Sequence, residues 1–264
     1  MTELSKDPKF VNSAVAEAMK EEPIKIQTIA PSNNEVVLPG GYISREGILA
    51  KYAEVRELTG ADEEAISKAG TVGKALNTIL QRGIVSIGAE PATKDMLDDL
   101  LAGDRDVLLL AIRKATFGEE VEYGAYCSGC STESVVKIDL NTDIKIDELN
   151  NPIEDRQWAV EIKAGTAIVS LPTGELQRRL MENTDKTTAE LNTLLLSSCL
   201  IGINGSGSLG ASTVLKLGMG DREKLVDEII KKNPGPRLGE VVKACEACGE
   251  SMNTPLSLAG LFRL

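Results

Sequence analysis

Cys127-Ser128-Gly129-Cys130 and Cys245-Glu246-Ala247-Cys248 carry one spacing twice. A Cys-x-x-Cys turn presents two thiolates to one metal ion, and two such turns complete a four-thiolate tetrahedron. One Zn²⁺ held by Cys127, Cys130, Cys245 and Cys248 would clip the middle of the chain to its C-terminal end. A site closed by four thiolates leaves no open position for water or substrate, so its metal holds structure. The alternative is two separate thiol pairs, for redox chemistry or intermolecular bridging. A redox pair of the thioredoxin kind opens a helix within a βαβ unit. Neither pair has that setting.

Outward from the cysteines, the flanking words also recur. Ala75-Leu76-Asn77-Thr78 returns as Glu190-Leu191-Asn192-Thr193, Ile84–Gly88 as Leu200–Asn204, and Gly103-Asp104-Arg105 as Gly220-Asp221-Arg222. Leu76 to Leu191, Asp104 to Asp221 and Cys127 to Cys245 are offset by 115, 117 and 118 residues. The chain reads as an internal duplication, and the alternative is chance similarity among common helical words. Leu38-Pro39 and Leu171-Pro172 are 133 apart, which predicts an insertion in the first copy, the amphipathic stretch Glu46–Lys68. Two halves related by a pseudo-twofold axis can bring equivalent turns together on one metal, as at an isologous contact.

The expected architecture is α+β: an N-terminal arm over 1–23, a first half over 24–145 and a second over 155–264. The arm has an apolar face (Phe10, Val11, Ala14, Val15, Met19) and reads either as a docking element or as a frayed terminal helix. Each half is expected to open with a β-hairpin: Ile24–Ile29 paired with Glu35–Leu38, and Trp158–Lys163 paired with Ala167–Leu171. Helices are predicted over Ile43–Thr59, Glu63–Ala69, Thr71–Gly83, Thr93–Leu101 and Val107–Thr116. In the second half they fall over Glu175–Met181, Thr188–Ser198 and Asp221–Lys232. Gly60-Ala61-Asp62 supplies a helix stop and the next N-cap, and Asp104 caps a helix after a break at Gly103. Arg105 could instead fork onto a carboxylate across the axis; capping is the preferred reading. Strand, Cys-x-x-Cys turn, strand over Glu120–Leu140 is the layout of a zinc-ribbon hairpin. Asn141–Glu154 connects the halves, and the apolar tail Pro255–Phe262 is expected to be held in the core or in a neighbour.

Composition narrows the function. Of 264 residues 42% are hydrophobic but only 3% aromatic, giving an aliphatic core with few platforms for stacking bases or sugars. A net charge of −11 repels phosphate backbones, so nucleic acid is not an expected partner. No apolar run approaches the roughly 20 residues that span a bilayer, and Met1–Lys20 is too polar for a signal peptide. Four of five cysteines in metal-type spacing suit a reducing compartment, and Cys199 reads as a small buried hydrophobe. Histidine is absent, which removes the usual general base and the commonest catalytic metal ligand. No enzymatic activity is expected. Gly205–Gly210 fits G-x-G-x-x-G, but no βαβ unit or ribose-binding acid surrounds it, and it reads as a linker. The acidic pairs Glu63-Glu64, Asp98-Asp99 and Glu119-Glu120 read as solvated faces.

Leu38-Pro39-Gly40-Gly41, Gly103-Asp104-Arg105 leading an apolar helix that ends in Phe117-Gly118, and a tyrosine before Cys127-x-x-Cys130 together resemble a known family. It is the T-even-phage baseplate hub family of tailed bacteriophages, whose relatives are often labelled tail assembly chaperones. The second knuckle with Cys248-Gly249 and a short tail containing Phe262 is similar to the way its members finish, although this tail has a single Phe. The resemblance runs from about Glu35 to the C-terminus. It implies a tail or baseplate protein of the virion, made in the host cytoplasm, with the four knuckle cysteines as zinc ligands. Its partners would be other tail or baseplate proteins, with self-association open. The rivals are an assembly chaperone that leaves before maturation, a zinc-ribbon nucleic-acid adaptor, and an NAD-dependent enzyme using the glycine-rich loop.

Overall fold

The computed structural model describes residues 25–27, 34–207 and 210–264; the predicted arm falls outside them. The chain is α+β with antiparallel pairing dominant. Strand β3 (Ile48–Val55) is the centre of the first sheet. One of its edges carries β2 (Glu35–Ile43), antiparallel; the other carries β1 (Lys25–Gln27), parallel, and further along β4 (Ile84–Ile87), antiparallel. Between β3 and β4 run helices α1 (Gly60–Ser67) and α2 (Val72–Gly83). After β4 come β5 (Glu90–Pro91), α3 (Lys94–Asp99), α4 (Ala102–Phe117) and the ribbon β6–β7 (Glu120–Tyr126, Glu133–Asp139). A connection containing β8 (Ile146–Asp147) follows.

The second half runs β9 (Gln157–Ile162), β10 (Gly165–Ser170), α5 (Gly174–Glu182), α6 (Thr188–Cys199) and β11 (Leu200–Ile203). It continues through β12 (Ser206–Gly207), α7 (Ala211–Val214), α8 (Met219–Lys232) and β13 (Gly235–Pro236), which pairs with β8. The ribbon β14–β15 (Glu240–Ala244, Ser251–Pro255) and α9 (Leu258–Leu261) end it. Hairpin, two helices, return strand with a short partner, short helix, long helix and ribbon thus occur twice in one order.

Several expectations are corrected. Ile43–Thr59 is not a helix: Ile48–Val55 is strand β3, although Leu, Ala, Lys and Glu favour helix, because pairing on both edges overrides weak local propensity. The opening hairpin is therefore β2–β3, turned at Ser44–Gly47 with Gly47 at φ 74, and β1 lies parallel to β3 rather than antiparallel to β2. No insertion is needed in the first copy. Leu38 sits within β2 whereas Leu171 follows β10, so the two Leu-Pro words are not positional equivalents, and Glu46–Lys68 builds β3 and α1. Leu200–Ile203 is a strand that follows directly on α6. The glycine-rich run begins as a hairpin turn, with Asn204 (φ 52) and Gly205 (φ 77) both left-handed between β11 and β12, a setting that Asn-Gly favours. Asp62 is not an N-cap but the third residue of α1, and it reaches back to the Thr59 amide.

Gly103-Asp104-Arg105 neither breaks nor caps a helix; it is the first turn of α4. Asp104 is fully buried, and its Oδ1 accepts from the Gly40 amide of β2 at 2.7 Å. Asp221 does the same job in α8, accepting from the Lys163 and Ala164 amides at the β9–β10 turn. Arg105 donates to Asn77 of α2 and Arg222 to Thr193 of α6. Each Asp holds its hairpin, and each Arg holds the helix before it. Arg105 also crosses between the halves, but onto the Gln177 amide oxygen of α5 at 2.9 Å instead of a carboxylate.

Burial pushes the Asp104 carboxyl up to about 6, so the folded state prefers it protonated. That contribution is fully present below the ordinary carboxylate range and is lost as pH rises through about 6. At 1.36 kcal/mol per pH unit it amounts to about 3 kcal/mol. Asp104→Asn keeps an acceptor for Gly40 and cannot ionise. In denaturation series from about pH 4 to 7, wild type should lose ground relative to this variant by about that amount; parallel curves would refute the assignment.

Two apolar clusters form. One holds Val160, Val169, Leu196, Leu225 and Ile229 of the second half. The larger joins β2–β3, α2 and α4 (Leu76, Ile79, Leu108, Ile112) to both ribbons and to Leu256, Leu258 and Leu261. The C-terminal segment thus packs in the first half's core, as the apolar tail led one to expect. Among the described residues, no helix is long and apolar enough to cross a membrane.

Candidate metal centre

Seven cross-strand pairs, Glu120↔Asp139 to Tyr126↔Glu133, build the first ribbon, and five, Glu240↔Pro255 to Ala244↔Ser251, the second. Both close with the same loop. The Cys127 amide donates to the Thr132 carbonyl and the Ser131 amide to the Cys127 carbonyl. The Cys245 amide donates to Glu250 and the Gly249 amide to Cys245 in the corresponding places. The fifth loop residue is left-handed in each, Ser131 at φ 56 and Gly249 at φ 77.

That conformation costs an L side chain about 1–2 kcal/mol and a glycine little. Ser131→Gly should therefore raise stability by about 0.5–1 kcal/mol and Gly249→Ala lower it by about 1 kcal/mol. Chemical-denaturation midpoints that shift in the same direction for both variants would refute this account of the loops.

The loops meet. Cys127 Sγ lies 3.6 Å from Cys248 Sγ, and Cys130 Sγ 3.7 Å from Cys245 Sγ. All four sulfurs are within 4.8 Å of one another. A tetrahedral ion with bonds of about 2.3 Å to sulfur places its ligands about 3.8 Å apart, so the four positions suit one thiophilic ion. Both of these contacts join opposite ribbons, the first cysteine of one facing the second of the other. Cys127 and Cys245 are buried, Cys130 is half-buried and Cys248 is exposed. The approach is close enough that a Cβ on Gly129 would sit 3.1 Å from Glu250. Cys199 stands apart in the second cluster, where burial pushes its thiol up to about 12.

The sequence anticipated this convergence but missed a second group. Arg113, Tyr123 and Arg263 line one cleft; coming from a helix, a strand and the tail, they leave no local word to read.

Fold and site together define an α+β protein whose two cysteine turns, 118 residues apart, meet in a cluster that could hold one metal ion. A family model described as T4 bacteriophage base plate protein matches residues 50–204. The match covers more than half of the chain, and the chain belongs to that family, which gives it a bacteriophage tail-baseplate role. It runs from β3 to the Asn204-Gly205 turn, so it includes Cys127 and Cys130 and stops before Cys245. Searches of curated proteins and of solved structures return no match.

Proposed function

We propose that the chain is a zinc-stabilised protein–protein scaffold of the phage tail baseplate, built from one duplicated unit. The observation that carries the reading is the meeting of four thiols from opposite ribbons within 4.8 Å. Zn²⁺ is the metal of choice for a four-sulfur tetrahedron. Bound there by Cys127, Cys130, Cys245 and Cys248, it has no coordination position left for a substrate, and its work is to hold the C-terminal ribbon on the first half. The repeated element order and the repeated Asp and Arg contacts support the duplication. With no histidine in the sequence, the chain is read as non-catalytic.

Metal analysis of the purified chain tests the clip: one zinc per chain supports it, and none, with all thiols titratable, rejects it. Quantifying the chain in purified virions separates a resident component, present at fixed stoichiometry, from an assembly chaperone, which is absent. The nucleic-acid adaptor is disfavoured by a specific observation. The lysines beside the knuckles are already paired, Lys137 with Glu122 at 3.5 Å and Lys243 with Asp143 at 2.7 Å.

A further inference from the structure

Helix α4, strand β6 and the C-terminal tail enclose a cleft of about 600 Å³ in which two arginines gather with no ion-pair partner among the described residues. Arg113 is buried; its Nε donates to the Leu261 carbonyl at 2.8 Å and its Nη1 to the Gly118 carbonyl at 3.1 Å. Its guanidinium lies over the Phe117 ring, 4.8 Å from the centroid. Among the described residues no carboxylate pairs with Arg113 or with Arg263, which lines the same cleft. Burial first, and then the Arg263 charge, hold the Arg113 pKa down. The Tyr123 hydroxyl, beside Gly260, is buried and has no hydrogen-bond partner. Leaving such groups unmatched is costly.

Glu120 and Glu122 also line the cleft, but strand alternation sets them on the face opposite Tyr123, and Glu122 pairs with Lys137. Past Phe117, Phe262 and Arg263 the wall continues into a trough of about 350 Å³ whose apolar lining is Leu58, Ile66, Ile79 and Leu264, with Glu63 at its side. Phe117, at the junction, is 60% exposed.

We propose that this cleft receives a segment of a partner protein that carries a carboxylate next to an apolar side chain. The carboxylate takes the free Arg113 Nη2 and the Arg263 guanidinium beside Tyr123, and the apolar side chain lies over Phe117 into the trough. Charge complementarity selects the occupant: two unpaired guanidiniums in a chain of net charge −11 call for an anion, and the aromatic wall calls for an apolar neighbour. The inference places one contact of the scaffold and does not depend on the metal.

Fluorescence anisotropy of the full chain with a fluorescein-labelled Glu-Leu repeat peptide tests it, with Gln-Leu and Glu-Ser repeats as comparisons. The Glu-Leu peptide should bind about tenfold more tightly than either, and Arg263→Glu should remove that advantage while Arg263→Lys keeps most of it. Phe117→Ser should reduce Glu-Leu binding to the Glu-Ser level. Arg263 is exposed, so Arg263→Glu should melt and hold metal as wild type does; failure of the cleft is then distinct from failure of the clip. Absent binding, equal binding of Glu-Leu and Glu-Ser, or insensitivity to Arg263→Glu would overturn the proposal. So would a concentration-dependent dimer that Arg263→Glu dissolves, since the occupant would then be a second copy of this chain.

Discussion

Cys127→Ser and Cys245→Ser should each abolish metal binding at the proposed centre and lower the unfolding free energy by several kcal/mol. Structural zinc sites contribute their binding energy directly to folding. A second route gives the same scale: closing a loop of about a hundred residues is worth about 4.7 kcal/mol in the chain-entropy treatment of cross-links. A metal shared by the four clustered cysteines would join residues 127 and 245, so the loop it closes would contain the second half as far as the ribbon strand Glu240–Ala244. Because the four ligands act as a unit, the double variant should cost little more than either single one. Chelator should bring wild type down to the level of the variants and leave the variants unmoved. Cys199→Ser is the control: it buries a hydroxyl in the second cluster, costs about 1–3 kcal/mol and keeps the metal. Denaturant titration with metal analysis reads wild type and all four variants. A Cys127→Ser protein that melts like wild type would falsify the shared site.

How much of this could be read beforehand depended on how local each signal was. The four clustered cysteines were legible because Cys-x-x-Cys is a turn that carries its own geometry. Helices α2 and α6 were legible because apolar spacing agrees with their caps, Thr71 accepting from the Lys74 amide and Thr187 with Glu190 forming a capping box. Strand β3 was not. Leu49, Ala50, Lys51 and Glu54 suit a helix as single residues, and only strands on both edges, from Glu35–Ile43 and Ile84–Ile87, decide otherwise. Asn204-Gly205 was a readable hairpin word, obscured by the glycine pattern around it. The Gly-Asp-Arg words marked two helix starts with matching contacts but not the chemistry of those contacts, since the amides held by Asp104 and Asp221 are 64 and 57–58 residues away. The two unpaired arginines were invisible for the same reason.

The two Gly-Asp-Arg words supply a paired test in which local and tertiary energies have opposite signs. Gly103 and Gly220 both occupy the first turn of a long helix, α4 and α8. Replacing glycine by alanine inside a helix is favourable by about 1 kcal/mol in isolation. Around Gly220 a new Cβ meets nothing within 4 Å, so Gly220→Ala should stabilise by about 0.5–1 kcal/mol. At Gly103 the same Cβ would lie 1.6 Å from the Pro234 carbonyl oxygen and 2.5 Å from its carbon. Those are backbone atoms, and no rotamer relieves the overlap. Helix α4 cannot yield easily, because Leu108, Leu109, Leu110 and Ile112 are each at most 1% exposed. The strand must move instead, which breaks the Gly235↔Asp147 pairing and disturbs the path into the second ribbon. Gly103→Ala should therefore destabilise by about 3 kcal/mol or more, as overpacking against rigid neighbours does, and weaken metal retention as well. Denaturation midpoints moving in opposite directions for the two variants are the expected result. Two variants that shift alike would mean that Gly103 is not held against Pro234, and that the first half's core does not position the second ribbon through this contact.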